Sequence, residues 1–239
     1  MNINIKCRSA IFLLLSLQIY QILIVSLSHD KKNNKSHFSE DSGFAVENDD
    51  WSELNYYLNA DIDMGTTYSW LPLGRESYWV TKYEGTFWGN GHTIKYKIWG
   101  LDEENQGLFS TINQSGKVYD VNVICDINTE RDWVGGIAGE SYGLIQNCTV
   151  NAKIVSKDHD EVGGIVGWIE DDASRFEGCT NAGNIQGKDA VGGILGYFGN
   201  SSQDKKMTLI NNVNRGNITA TTRAGGIAGH LETDCNYHE

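Results

Sequence analysis

Four segments of this chain are near copies of one another: Val134-Gly-Gly-Ile-Ala-Gly139, Val162-Gly-Gly-Ile-Val-Gly167, Val191-Gly-Gly-Ile-Leu-Gly196 and Ala224-Gly-Gly-Ile-Ala-Gly229. A weaker fifth copy, Gln106-Gly-Leu-Phe-Ser110, lies upstream. Their first glycines, at 107, 135, 163, 192 and 225, are 28, 28, 29 and 33 residues apart. A fixed period in this range marks a solenoid or an array, because one such unit cannot bury its apolar face alone.

Each period carries two further landmarks. One is a short apolar segment: Val118-Tyr-Asp-Val121, Ile145-Gln-Asn-Cys148, Phe176-Glu-Gly-Cys179 and Leu209-Ile-Asn-Asn212. The other is an isoleucine six residues beyond it, at Ile127, Ile154, Ile185 and Ile218. Length differences fall between the landmarks, as in the insertions at 169–174 and 197–206. Insertions that spare periodic apolar positions belong on surface loops. Each period therefore holds three strand-like stretches, and no segment shows a helical period over 11 residues.

Proline usage agrees. The 239 residues include 27 glycines but one proline, Pro72, where average usage gives roughly 17 and 12. Flexible linkers and collagen-like chains are rich in both residues. A stacked sheet tolerates glycine at its turns and excludes proline from its ladders. These features predict an all-β fold: a parallel β-helix, or solenoid, with coils of 28–33 residues, in which equivalent strands stack about 4.8 Å apart.

Four glycine pairs recur: Gly135 and Gly136, Gly163 and Gly164, Gly192 and Gly193, Gly225 and Gly226. They are read as structural corners needing positive φ or close stacking. A phosphate-cradling loop would need a strand-to-helix context and a G-x-x-x-x-G-K-[ST] pattern, and neither exists here. Cys148 and Cys179 occupy equivalent positions in adjacent coils, and are expected to stack in the core as small buried residues. A disulfide between them stays open. No C-x-x-C pair or complementary His pair supports a zinc site, and no motif implies a cofactor.

The first residues point outside the cytoplasm. Lys6 and Arg8 precede an apolar run from Ala10 to Leu27, followed by the small-x-small site Ser26-Leu27-Ser28. That pattern is a secretory signal peptide over 1–28. An uncleaved anchor is the alternative, although Gln18 and Gln21 interrupt a run already short for a bilayer. Contact with a membrane is expected only through this segment. The net charge is −12, and an acidic surface repels phosphate backbones, so nucleic acid is not an expected partner. Residues 29–50 read as a polar linker, 51–106 as the capping start of the β-helix, and 107–239 as its repeats, the last coil being incomplete.

The Gly-Gly-Ile-x-Gly segments, with the Ile-x-Asn-Cys pattern that follows, resemble the GLUG-motif proteins. That family includes bacterial surface adhesins, and the same repeat occurs in the non-catalytic part of IgA-cleaving metallopeptidases. The segments Tyr57–Gly65, Trp70–Gly74 and Tyr83–Ile94 resemble the stretch that precedes such repeats, with Trp88 where Asp is usual. The resemblance covers about Trp51 to the end. It implies the β-helix fold and an extracellular location, and it carries no catalytic motif. The peptidases' H-E-x-x-H zinc motif is absent, since His230-Leu-Glu-Thr-Asp234 lacks the second His.

Other chemistry has little support. Asp158-His159-Asp160-Glu161 and Glu170-Asp171-Asp172 are the densest acidic runs. They match neither calcium-loop spacing nor a calcium-binding nonapeptide, and they read as a solvated turn and an insertion. Aromatic residues say more. Five of seven tryptophans fall between residues 51 and 99. Trp51 and Trp70 are expected to cover the open end of the β-helix. Trp79, Trp88 and Trp99 are equally suited to that and to ligand binding, since exposed aromatic faces stack on sugars or anchor a protein partner.

The sequence therefore predicts a secreted or cell-surface binding protein of adhesin type, without catalysis, that takes an extracellular glycan or protein ligand. A β-helix polysaccharide lyase or hydrolase and a structural spacer of a larger surface protein are the alternatives.

Overall fold

A computed structural model describes residues 55–65, 69–74, 82–170, 174–200 and 207–233. The expected leader over 1–28, the linker over 29–50, Trp51 and Trp79 lie outside the described residues. Among those described there is no helix; all regular structure is strand, and every strand pairing is parallel. The chain is a β-solenoid with three faces.

The first face stacks Tyr56–Tyr57, Thr86–Trp88, Lys117–Tyr119, Leu144–Gln146, Arg175–Glu177 and Thr208–Ile210, in that order. The second stacks Ile62–Asp63, Thr93–Trp99, Asn122–Asn128 and Thr149–Gly163, then the shorter strands of later coils. The third stacks Phe109–Ile112, Ala138–Ser141, Val166–Glu170, Leu195–Asn200 and Ala228–Thr233. Among the described residues stacking already includes Tyr56, well before the first repeat glycine, so the segment expected to cap the β-helix contributes stacked strands of its own.

Burial alternates along the strands, as for Asn122–Asn128, where every second side chain is buried. The inward positions form ladders. Ile98, Ile127, Ile154, Ile185 and Ile218 are in register, which accounts for the isoleucine landmark. On the first face Phe87, Val118, Ile145, Phe176 and Leu209 do the same. One of the buried polar residues is Asn181, fully buried in register with Val150 and Asn214. Its side chain accepts a bond from the Gly183 N–H at 3.0 Å and donates to Asn214 at 2.9 Å, so its amide is satisfied.

Of the two demands expected at the repeat glycines, the structure shows close stacking. The positive φ is a correction: Gly135, Gly136, Gly163, Gly164, Gly192, Gly193, Gly225 and Gly226 all lie outside the left-handed region. The two glycines of a pair are crowded by different neighbours. The first meets the turn of its own coil. A Cβ on Gly135 would lie 2.2 Å from the Ala138 carbonyl oxygen, one on Gly163 1.9 Å from that of Val166, and one on Gly225 1.7 Å from that of Ala228. The second meets the coil that follows. A Cβ on Gly136 would lie 2.7 Å from the Gly164 carbonyl oxygen and 2.4 Å from Val150 Cγ1, and one on Gly164 2.1 Å from the Gly193 carbonyl oxygen. Gly136 is therefore no free corner; it is the point where the backbone of one coil rests on the next.

Positive φ falls elsewhere, and it recurs from coil to coil at two corners. Leaving the first face, Asp120, Asn147, Gly178 and Asn211 are left-handed; these residue types tolerate that conformation. Entering the glycine segment, the left-handed residues are Asn105, Trp133, Glu161 and Ala190.

Cys125, Cys148 and Cys179 are buried free thiols. Cys148 and Cys179 are adjacent across one coil step, and burial pushes the Cys148 thiol well above its ordinary range.

Candidate functional site

Strand pleating turns Tyr57, Trp88 and Tyr119 outward at one register of the first face. Their rings stack: Tyr57 and Trp88 lie 4.3 Å apart with planes 7° from parallel, and Trp88 and Tyr119 lie 6.3 Å apart at 21°. All three are partly exposed. The row continues upward as Gln146 and Glu177, so an aromatic strip passes into hydrogen-bonding groups. Such a strip offers an apolar face with polar edges to a ligand.

Trp88 and Trp99 do not share a surface. Trp99 ends the second-face strand Thr93–Trp99, is half exposed, and takes Lys97 Nζ over its ring at 4.5 Å. Trp70 is buried in the N-terminal coils, with its indole N–H donating to the Leu108 carbonyl at 3.0 Å. It lies among core side chains there.

A second group of outward residues was not visible in the sequence reading. In register on the third face stand Thr111, Glu140, Trp168, Tyr197 and His230. Each of the last four directly follows the final glycine of a repeat segment. That glycine packs against the left-handed corner of the coil before: a Cβ on Gly167 would meet Trp133, and one on Gly196 would meet Glu161. The corner of one coil is thereby brought beside the strand of the next. Trp133 stacks on Trp168 with ring centroids 5.0 Å apart and planes at 25°. Repetition of these two positions was the signal that could have revealed the group.

The acidic run Asp158–Glu161 is not a solvated turn. It lies in the strand Thr149–Gly163, spanning the register shift between Ser156 and Asp160. Around it, acids of one coil pair with bases of the next: Asp132 with His159 at 3.2 Å, Asp160 with Lys188 at 3.3 Å, and Asp189 with Arg223 at 2.7 Å. Arg223 binds Asp189 through two nitrogens and holds its carboxyl down at about 2. Among the described residues no such base pairs with Glu161. Burial, then the charges of Asp132 and Asp160, push it up to about 7, against a bond from Trp133.

This shift has a sign. A carboxyl that holds its proton more tightly when folded contributes stability fully below its ordinary value of 4.5, and that contribution is lost as pH rises through about 7. Glu161→Gln is therefore expected to raise the unfolding midpoint at pH 8 and leave it unchanged at pH 4.5. With its partial exposure discounted, the gain is about 1 kcal/mol. Denaturant titrations at the two pH values check it.

The surface depression on the second face, about 220 Å³, is lined by Lys153, Val155, Asn184, Gln186, Asn217 and Thr219 among others, and carries no acid. Among the described residues no three His, Cys, Asp or Glu side chains are grouped to hold a metal.

The geometry defines a parallel β-solenoid repeat protein with aromatic strips on its outer faces. No family model matches the chain. A stretch of 136 residues, 53% of the chain, is 31% identical to Halomucin of Haloquadratum walsbyi and spans 2% of that protein. A crystal structure from Bacteroides ovatus, provisionally described as an immunoglobulin A1 protease, is similar in fold with a TM-score of 0.51. That match has 22% identity and covers 74% of this chain and 65% of the other. The chain thus spans less than two thirds of either relative.

Proposed function

We propose that this chain is a secreted or cell-surface binding protein, without catalysis, whose β-solenoid presents side chains to an extracellular glycan or protein ligand. The observation that carries this reading is the stacked ladder Tyr57–Trp88–Tyr119, a three-ring strip left partly open to solvent. Ring stacking itself contributes about 0.2–1 kcal/mol per cross-strand pair to the sheet, and the ring area left open to solvent is what a ligand would cover. The GLUG resemblance of the repeats supports an adhesin role. The fold shared with a protein described as acting on immunoglobulin A1, itself an extracellular substrate, supports the location.

Hydrolysis is the weaker reading. Glu161 has the raised pKa of a general acid. A second carboxylate is also needed, and Asp132, Asp160 and Asp189 beside it are each engaged with a base.

The test is a screen of the full chain on glycan and matrix-protein arrays, followed by titration with the best ligand. Trp88→Ala is expected to weaken binding at least tenfold, because truncating a central aromatic anchor costs about 2 kcal/mol or more. Equal binding by wild type and variant would remove the ladder from the site. A wild-type chain that binds nothing on either array would leave the spacer reading in its place.

A further inference from the structure

We propose that Trp133, Glu161, Trp168 and Tyr197 form a second binding site, separate from the first-face ladder, that takes the ammonium or guanidinium group of a basic peptide.

The group is built by the diagonal contact between coils. Trp133 and Glu161 are successive residues of one corner ladder, since Val134 and Val162 are in register. Trp168 and Tyr197 are successive residues of the neighbouring strand ladder. Trp133 meets Trp168 ring to ring, and, one coil on, the Glu161 backbone packs against Gly196, the residue before Tyr197. Two indoles, a phenol and a carboxyl therefore share one patch, and all four side chains are partly exposed.

The choice of residues at that corner is informative. The other left-handed corner is filled by Asp120, Asn147, Gly178 and Asn211, the types that conformation favours. The same backbone demand is met here by Asn105 and Ala190 in the flanking coils and by Trp133 and Glu161 between them, the last two at φ 58° and 56°. A bulky aromatic residue there costs on the order of 1–2 kcal/mol relative to asparagine or glycine.

Charge and ring electrostatics select the ligand. The groups facing Glu161 are Asp132, Asp160 and Asp189 from its own face, Tyr197 from the third face, and Arg223 from the last coil. His159, Lys188 and Arg223 are each held by one of the three aspartates. The carboxyl left without a base stands against the tryptophan pair, whose ring faces carry negative potential. A cation between them gains both attractions, and its approach is favoured by a chain of net charge −12. A neutral sugar would gain stacking alone, and an acidic ligand would be repelled.

The experiment is calorimetric titration of the full chain with tetralysine at pH 6 and pH 8 in low salt. Binding is expected to tighten severalfold from pH 6 to pH 8, as the ligand favours the ionised Glu161 carboxyl. Glu161→Gln, a near-isosteric change, is expected to weaken binding at pH 8 about tenfold and to flatten its pH dependence. Trp168→Ala is expected to weaken it similarly. Asp126→Asn, on the second face, and Trp88→Ala, in the first-face ladder, are expected to leave it unchanged. The proposal is overturned if Asp126→Asn weakens binding as much as Glu161→Gln, which would mark diffuse attraction to an acidic surface. It is also overturned if tetralysine does not bind, or if a chitosan tetramer binds at this patch and tetralysine does not. Because Trp88 serves the other surface, either site can fail while the other stands.

Discussion

Gly163→Ala is expected to abolish the folded state or cost at least about 3 kcal/mol, whereas Gly226→Ala in the last copy of the motif changes stability by no more than about 0.5 kcal/mol. A methyl on Gly163 would lie 1.9 Å from the Val166 carbonyl oxygen and 2.8 Å from the Gly196 nitrogen. Both obstacles are backbone, and neither can retreat freely. Val166 and Ile165 donate to the Ile194 carbonyl of the next coil, and Gly164 donates to that of Gly192. Moving the turn aside breaks these bonds together. A Cβ on Gly226 meets nothing within 4 Å, and its φ is not in the left-handed region. The two substitutions are chemically identical, one at the first glycine of a pair and one at the second glycine of another, and they differ in what the added methyl meets. Guanidinium unfolding followed by circular dichroism measures it. Equal, small effects would refute the close-stacking role of the repeat glycines.

Phe109→Ala is the second large effect, expected at about 3–5 kcal/mol. Phe109 is fully buried. Its ring lies 4.8 Å from that of Tyr83, and meets Phe87 edge-on at 5.6 Å. Tyr56 joins the group at 6.1 Å from Tyr83 and 6.2 Å from Phe87. The N-terminal coils thus cluster aromatic side chains at positions that later coils fill chiefly with Ile, Val and Leu, Phe176 and Phe198 excepted. Removing the central ring opens a cavity bounded by rigid neighbours that fill it poorly. Each coil contacts mainly its neighbours, so the damage should concentrate between Tyr56 and Ile112. Hydrogen exchange is expected to show early opening there, with protection kept around Ile154 and Ile185. Uniform loss of protection along the chain would show that the solenoid unfolds as one unit.

The legible part of this molecule is the part that repeats along the sequence. The glycine segments and the isoleucines at 127, 154, 185 and 218 predicted the coils, because a stacked core places like residues at like positions. The first-face strands were legible for the same reason. What escaped was the relation between faces. Trp133 and Trp168 are 35 positions apart, more than one period, and they meet only because a glycine lets the strand of one coil close on the corner of the coil before. The conformation of the glycine pairs was not legible either: a Gly-Gly step such as Gly135–Gly136 looks the same in sequence whether it serves a left-handed turn or a tight approach of two backbones. Composition also drew attention to residues 51–99, where tryptophans are dense. Trp70 proved to be core, while Trp88 and Trp99 face different ways. The acidic run before Val162 looked solvated because acids are abundant; its ion pairs reach 27 and 28 residues in either direction, beyond any local pattern.

Those ion pairs have a direction. Asp132 answers to His159, Asp160 to Lys188, and Asp189 to Arg223: in every case the acid is on the earlier coil and the base on the later one. A coil of this kind is a tile with unlike edges. Duplicating or excising one whole tile sets an acid against a base again, whereas a shift by a fraction of a tile does not. The length of such a protein can therefore change over generations in steps of one coil, with each new seam chemically matched at once.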